Sequence, residues 1–149
     1  MSGFTAVEFE RVRSCCACGN LRKTTRIITQ FYDQHLQPTG LRSTQCSLLM
    51  HILAHENISV SELAANLLMD QTTVTRNLEI LRKNGYIAVV KETEDARRKA
   101  IAITELGREK LGEALPFLEQ AQAQIEQGLG AERFQEFLNT LLAIQQMVK

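Results

Sequence analysis

Between Asp70 and Tyr86 the chain carries side chains of the types that hydrogen-bond to base edges and phosphates. Arginine pairs with guanine, glutamine or asparagine with adenine, and threonine hydroxyls with either a base edge or a phosphate. Val74, Leu78 and Leu81 recur at i, i+4 and i+7, which predicts a helix over about Gln71–Lys83 with one buried face. Removing that stripe leaves Gln71, Thr72, Thr73, Thr75, Arg76, Asn77, Glu79 and Arg82 facing outward. Asp70 is a good N-cap and Gly85 lies where a left-handed residue ends a helix. Such a helix is roughly 20 Å long and can lie in a major groove, with a phosphate favoured at its N-terminus.

A second basic cluster follows, with Arg97, Arg98 and Lys99 beside Glu92, Glu94 and Asp95. Tyr86–Lys91 and Lys99–Ile103 read as strands because they are rich in β-branched residues, so 92–98 becomes a hairpin loop. Asp95, two residues before Arg97, can hold that guanidinium extended, a posture suited to a narrow minor groove of enhanced negative potential. A solvated surface loop would look similar. Upstream, Ser59-Val60-Ser61-Glu62 is a capping box that opens a short helix over about Val60–Leu67. Only Leu68-Met69 separates it from the Asp70 cap, so the two helices must cross steeply as a helix-turn-helix does. Ser59, Ser61, Lys91 and Lys99 are then candidate phosphate contacts.

The elements that must position these residues are mostly helical, since two prolines and eight glycines leave long uninterrupted stretches. Leu21, Thr25, Ile28, Tyr32 and His35 predict one helix over about Glu8–Leu36, closed by Pro38-Thr39-Gly40. Another spans about Thr44–His55 and buries Leu48, Leu49, Ile52 and Leu53, with Cys46 on its apolar side. An extended stretch near Ile58 offers a third strand. From the Thr104 cap to about Gln127 a seam of Leu111, Leu115, Leu118, Gln122, Ile125 and Leu129 predicts a helix with a kink or break at Pro116. After a turn bracketed by Gly128 and Gly130, a last helix over about Glu132–Met147 carries Phe134, Phe137, Leu138, Leu141, Ile144 and Val148. The fold class is therefore mainly α with a small β-wing: one domain over 1–149, with a winged helix-turn-helix at 41–104. Apolar flanking helices at 8–40 and 105–149 are too long for a lone winged module and point to a homodimer.

Composition bounds the function without choosing it. The formal net charge is zero, distributed as five basic against three acidic residues in 1–40, eight against seven in 41–104 and four against seven in 105–149. No apolar stretch approaches the roughly 20 residues that span a bilayer, and no export signal is visible, so no membrane partner and a cytoplasmic location are expected. Four cysteines in that setting are expected as free thiols. There is no glycine-rich phosphate loop, nucleophile elbow or paired carboxylate in an apolar setting, so no enzyme and no cofactor are expected.

The chain resembles the MarR family of bacterial transcription regulators. The resemblance rests on Ser61-Glu62-Leu63-Ala64, on Thr72-Thr73-Val74-Thr75-Arg76 with Leu78 and Leu81, and on Gly85-Tyr86-Ile87. It continues through Asp95, Arg97 and Ile101 to Ile103-Thr104 and Gly107. It implies a winged-helix homodimer that binds double-stranded DNA at a pseudo-palindromic operator, most often as a repressor relieved by a small-molecule effector or by oxidation. Gln71, Thr72, Thr73, Thr75 and Arg76 would then face the major groove, and Arg97 and Arg98 the minor groove. Cys15, Cys16 and Cys18 stand open to three readings. A branch of the family senses hydroperoxides through a cysteine near the start of its first helix, and Arg11, Arg13 and Arg22 could supply the positive potential thiolate chemistry needs. A thiolate metal site and plain semi-buried helix residues are the others. His51 and His55 also have a metal-ligand spacing, without an identifiable third ligand. A winged-helix protein–protein module without DNA binding is the rival from another class.

Overall fold

The computed structural model describes residues 3–91 and 99–148; the hairpin tip with Asp95, Arg97 and Arg98 lies outside the described residues, as does the side chain of Lys91. Among the described residues the order is α1 (Ala6–Cys15), α2 (Ala17–Leu36), a 3-10 turn (Gln37–Thr39), α3 (Ser43–Ala54), β1 (Ile58–Ser59), α4 (Val60–Leu67), α5 (Gln71–Lys83), β2 (Ile87–Lys91), β3 (Lys99–Ile103), α6 (Glu105–Leu129) and α7 (Ala131–Met147).

The local signals behind the central elements act as chemistry says they should. Ser59 Oγ accepts the Glu62 N–H at 3.2 Å while the Glu62 carboxylate accepts the Ser59 N–H at 3.0 Å, so α4 starts at a closed capping box. Leu68 takes a left-handed conformation (φ 53°) that reverses the chain into Asp70. Asp70 caps α5 by accepting from the Thr73 N–H at 2.9 Å. Val74, Leu78 and Leu81 are buried, at about 1.5–3 kcal/mol apiece. The α5 C-terminus closes as a Schellman motif: Gly85 (φ 78°) donates to the Arg82 carbonyl and Tyr86 to the Leu81 carbonyl, both at 3.0 Å.

The three strands form an antiparallel sheet in the order β1-β3-β2. Ile101 stands opposite both Ile58 and Val89, so the short β1 ties the start of α4 to the base of the wing. The core gathers Leu36, Leu41, Cys46, Leu48, Leu49, Ile52, Ile58, Leu63, Val74, Leu81 and Ile101, with Leu111 and Ala114 from α6 closing one side. The long-range bond from the Ser43 N–H to Asp33 Oδ1, 2.7 Å, places a carboxylate of α2 on the N-terminus of α3. Neither α1 nor α7 contributes a buried residue.

Three expectations need correction. The first helix is not continuous: Cys16 (ψ 114°) leaves the helical region and separates α1 from α2. Its Sγ lies 3.5 Å from the Gly19 nitrogen and accepts that N–H, while Asn20 Nδ2 donates to the Cys16 carbonyl at 2.9 Å. Pro116 breaks nothing, since α6 runs from Glu105 through it to Leu129. Leu53 is not a core residue, being 41% exposed; the apolar stripe of α3 is wider than the face the rest of the chain covers.

Candidate nucleic-acid interface

The outward face of α5 is built by subtraction. With Val74, Leu78 and Leu81 held in the core, Gln71, Thr72, Thr75 and Arg76 are exposed on the solvent side, near the helix N-terminus. Thr73, grouped with them by sequence, is half-buried, and its hydroxyl donates to Asp70 Oδ2 at 2.7 Å. Its role is therefore to fix the cap, and those bonds hold the Asp70 carboxyl below the ordinary aspartate range. Asn77 is half-buried and donates to the Thr73 carbonyl at 2.9 Å. Arg82 is drawn to Glu79 at 2.7 Å, one turn back on the same helix. Thus the polar groups with unengaged chemistry concentrate in the first half of α5, where the helix dipole is positive.

The flanks are placed consistently with this face. Ser61 is exposed on the first turn of α4; Ser59 is half-buried, and its hydroxyl donates to Glu62 Oε2 at 3.0 Å. Lys99 opens β3 and is exposed, paired in register with Lys91 on β2. Lys91 and Lys99 thus stand at the ends of β2 and β3 that adjoin residues 92–98, which include Asp95, Arg97 and Arg98 and lie outside the described residues. The closely linked helices α4 and α5, followed by the antiparallel β2–β3 pair, define a winged helix-turn-helix.

The thiol cluster lies apart from this face. Cys15 and Cys18 are exposed and Cys16 is half-buried at the α1–α2 break. Arg13 is bound to Glu10 at 2.6 Å, which discharges one of the three arginines expected to activate these thiols. Cys46 is different: burial and the nearby Asp33 push its thiol up to about 11. Among the described residues no three His, Cys, Asp or Glu side chains converge as a metal site, and His51 and His55 spend Nδ1 on the carbonyls of Ser47 and His51. No helix among them is long and apolar enough to cross a membrane.

Sequence reasoning did not find the cap role of Cys16. The signal was present: Cys16, Cys18, Gly19 and Asn20 are weak helix formers close together, and the asparagine can bond the backbone.

Residues 41–99 match the MarR family profile. The transcriptional regulator SarZ of Staphylococcus haemolyticus is 31% identical over 90 residues, 60% of this chain and 61% of that protein. The chain thus spans about three fifths of the length of the SarZ proteins it matches. The Mycobacterium tuberculosis transcriptional regulator MosR, crystallised in complex with DNA, superposes with a TM-score of 0.76 at 35% identity, over 90% of this chain and 99% of that one. The transcriptional repressor CouR, bound to a 23-mer DNA duplex, shares the fold at TM-score 0.83 and 19% identity, covering 97% of this chain and 99% of its own. The chain belongs to the MarR family of winged-helix transcriptional regulators, a family of regulators and not of enzymes.

Proposed function

We propose that this protein is a cytosolic, sequence-specific transcriptional repressor that binds a pseudo-palindromic operator as a homodimer. The carrying observation is the first half of α5, where Gln71, Thr72, Thr75 and Arg76 project from a capped helix whose other face is locked in the core. The similarity to MosR, which has been seen on DNA, supports reading that face against a major groove. Ser59, Ser61, Lys91 and Lys99 are assigned to phosphates, Arg97 and Arg98 to the adjacent minor groove, and Asp95 to holding Arg97 extended. The dimer is assigned to the helices at both ends, whose apolar side chains are uncovered: Val7 of α1 is 78% and Leu142 of α7 53% exposed.

Release of the operator is assigned to a small ligand or to thiol oxidation. The exposure of Cys15 and Cys18 next to a helix break favours the second. A hydroperoxide would convert one thiolate to a sulfenic acid with loss of an alcohol or water, and a second thiol would displace water to give a disulfide. Serine replacements at Cys15, Cys16 and Cys18 that keep operator affinity but abolish its sensitivity to peroxide support this branch. Unaltered sensitivity transfers the role to a ligand.

The test of the whole reading is selection of duplexes from a randomised pool by the wild-type protein, followed by footprinting. Two protected half-sites about 34 Å apart, one turn of DNA, are expected. Enrichment of no duplex above non-specific binding contradicts it.

A further inference from the structure

The C-terminus of α5 and the N-terminus of α6 are interlocked. The Thr104 hydroxyl donates to the Gly85 carbonyl at 2.6 Å and accepts the Gly107 N–H at 3.0 Å, so one oxygen joins the end of one helix to the first turn of the other. The Thr104 N–H donates to the Tyr86 carbonyl at 3.0 Å. Gly107 is buried directly against that carbonyl: a Cβ there would overlap the Tyr86 oxygen and lie 2.8 Å from Ile103 Cγ1. The glycine is therefore required by a close approach of backbone to backbone. Its φ is ordinary, and no turn demands it.

We propose that Thr104 and Gly107 are positioning residues that set the angle between α5 and α6, and through it the distance between the two α5 helices of a dimer. The proposal rests on the reading of the protein as a dimeric DNA-binding regulator. Residues that face DNA sit at the opposite end of α5 from this joint. A tilt of about 5° there moves the far end of a helix roughly 20 Å long by about 1.7 Å. Hydrogen bonds to base edges do not survive such a displacement. Core packing of Val74, Leu78 and Leu81 holds α5 against α3 and α4, whereas the joint refers it to α6, which extends away from the winged core to Leu129.

The test uses the full-length protein and the duplex selected by the wild type, together with versions whose spacer is one base pair longer or shorter. Wild-type protein should discriminate sharply against both altered spacers. Thr104→Val keeps the volume and removes both hydroxyl bonds; it should reduce that discrimination at least fivefold while helical content and dimerisation hold. Thr104→Ser should restore it. Gly107→Ala, which pushes the Tyr86 carbonyl from α6, should cost at least tenfold in affinity for the original spacer or shift the preferred one. A Thr104→Val protein with the wild-type spacing profile overturns the joint and leaves the DNA-binding reading intact, even if Gly107→Ala does not fold. Failure to select any duplex instead removes the reading on which the joint rests.

Discussion

The middle of the molecule and its two ends are built from similar proportions of apolar residues, yet only the middle is packed. Between Leu36 and Ala121 every helix and strand contributes at least one apolar side chain buried to within a few per cent, among them Leu36, Leu49, Ile58, Leu63, Val74, Ile87, Ile101 and Ala114. In α1 and α7 none is buried, and Phe4, Val7, Phe9, Leu138 and Leu142 are exposed. Between α2, α6 and α7 the chain leaves a cavity of about 320 Å³ lined by Leu21, Ile28, Tyr32, Ile125, Phe134 and Leu141. The same hydrophobic periodicity therefore produces two different things. Where the pattern closes on other elements of the chain it makes a self-sufficient scaffold for α5. Where it does not, it leaves apolar side chains such as Val7, Leu138 and Leu142 in contact with solvent, the kind of surface that subunit association covers.

The largest effect separating the regions should be on stability. Leu63, fully buried under α4, should cost about 2–5 kcal/mol when truncated to alanine, measured by urea unfolding. Leu142→Ala should change the unfolding of isolated protomers far less, because that side chain has little to lose. A similar loss from both would erase the distinction.

The cysteines give a second contrast. At pH 8 a short pulse of iodoacetamide should modify Cys15 and Cys18 at least a hundredfold faster than Cys46, read by peptide mass spectrometry. Cys46 is buried and its thiol is pushed up to about 11, so both access and thiolate population are against it. Comparable labelling of all three would mean the core opens on the timescale of the reaction.

The ends can be probed by charge. Leu142→Asp should raise the dimer dissociation constant at least tenfold in sedimentation equilibrium, with circular dichroism unchanged. A dimer of undiminished affinity would place the subunit contact elsewhere.

The smallest effect lies at the α5 cap. Hydrogen bonds from Thr73 hold the Asp70 carboxyl below its ordinary range, so the folded value is depressed relative to the unfolded one. The stabilisation is present above the unfolded aspartate value, near pH 4, and is lost as pH falls through the lower folded value. NMR titration should find the Asp70 midpoint below the ordinary range in the wild type and moved upward in Thr73→Val. Identical midpoints would remove the cap from Thr73.

The contrast also explains what was legible in the sequence. The bounds of α4, α5 and β3 follow from Ser59, Asp70, Gly85 and a β-branched run, all local signals acting within a few residues. Leu53 misled because periodicity marks an apolar face without saying what covers it. The break at Cys16 was signalled only weakly, by low helix propensity over Cys18-Gly19-Asn20, because a thiol is an uncommon cap. Thr104 was readable as a cap, but its bond to Gly85 spans 19 positions and exists only after the wing has formed. On α5 the outward set was legible as a face, while the commitment of Thr73 to its own cap depended on rotamers.

The most direct test of the central claim is the salt dependence and sequence preference of Arg76→Ala beside wild type, using the selected duplex and a scrambled one. Wild-type affinity should fall steeply with salt as phosphate-bound counterions are released. Arg76→Ala should keep a similar slope on the scrambled duplex and lose at least tenfold on the selected one. Equal discrimination by both proteins would contradict the assignment of the α5 face to the major groove.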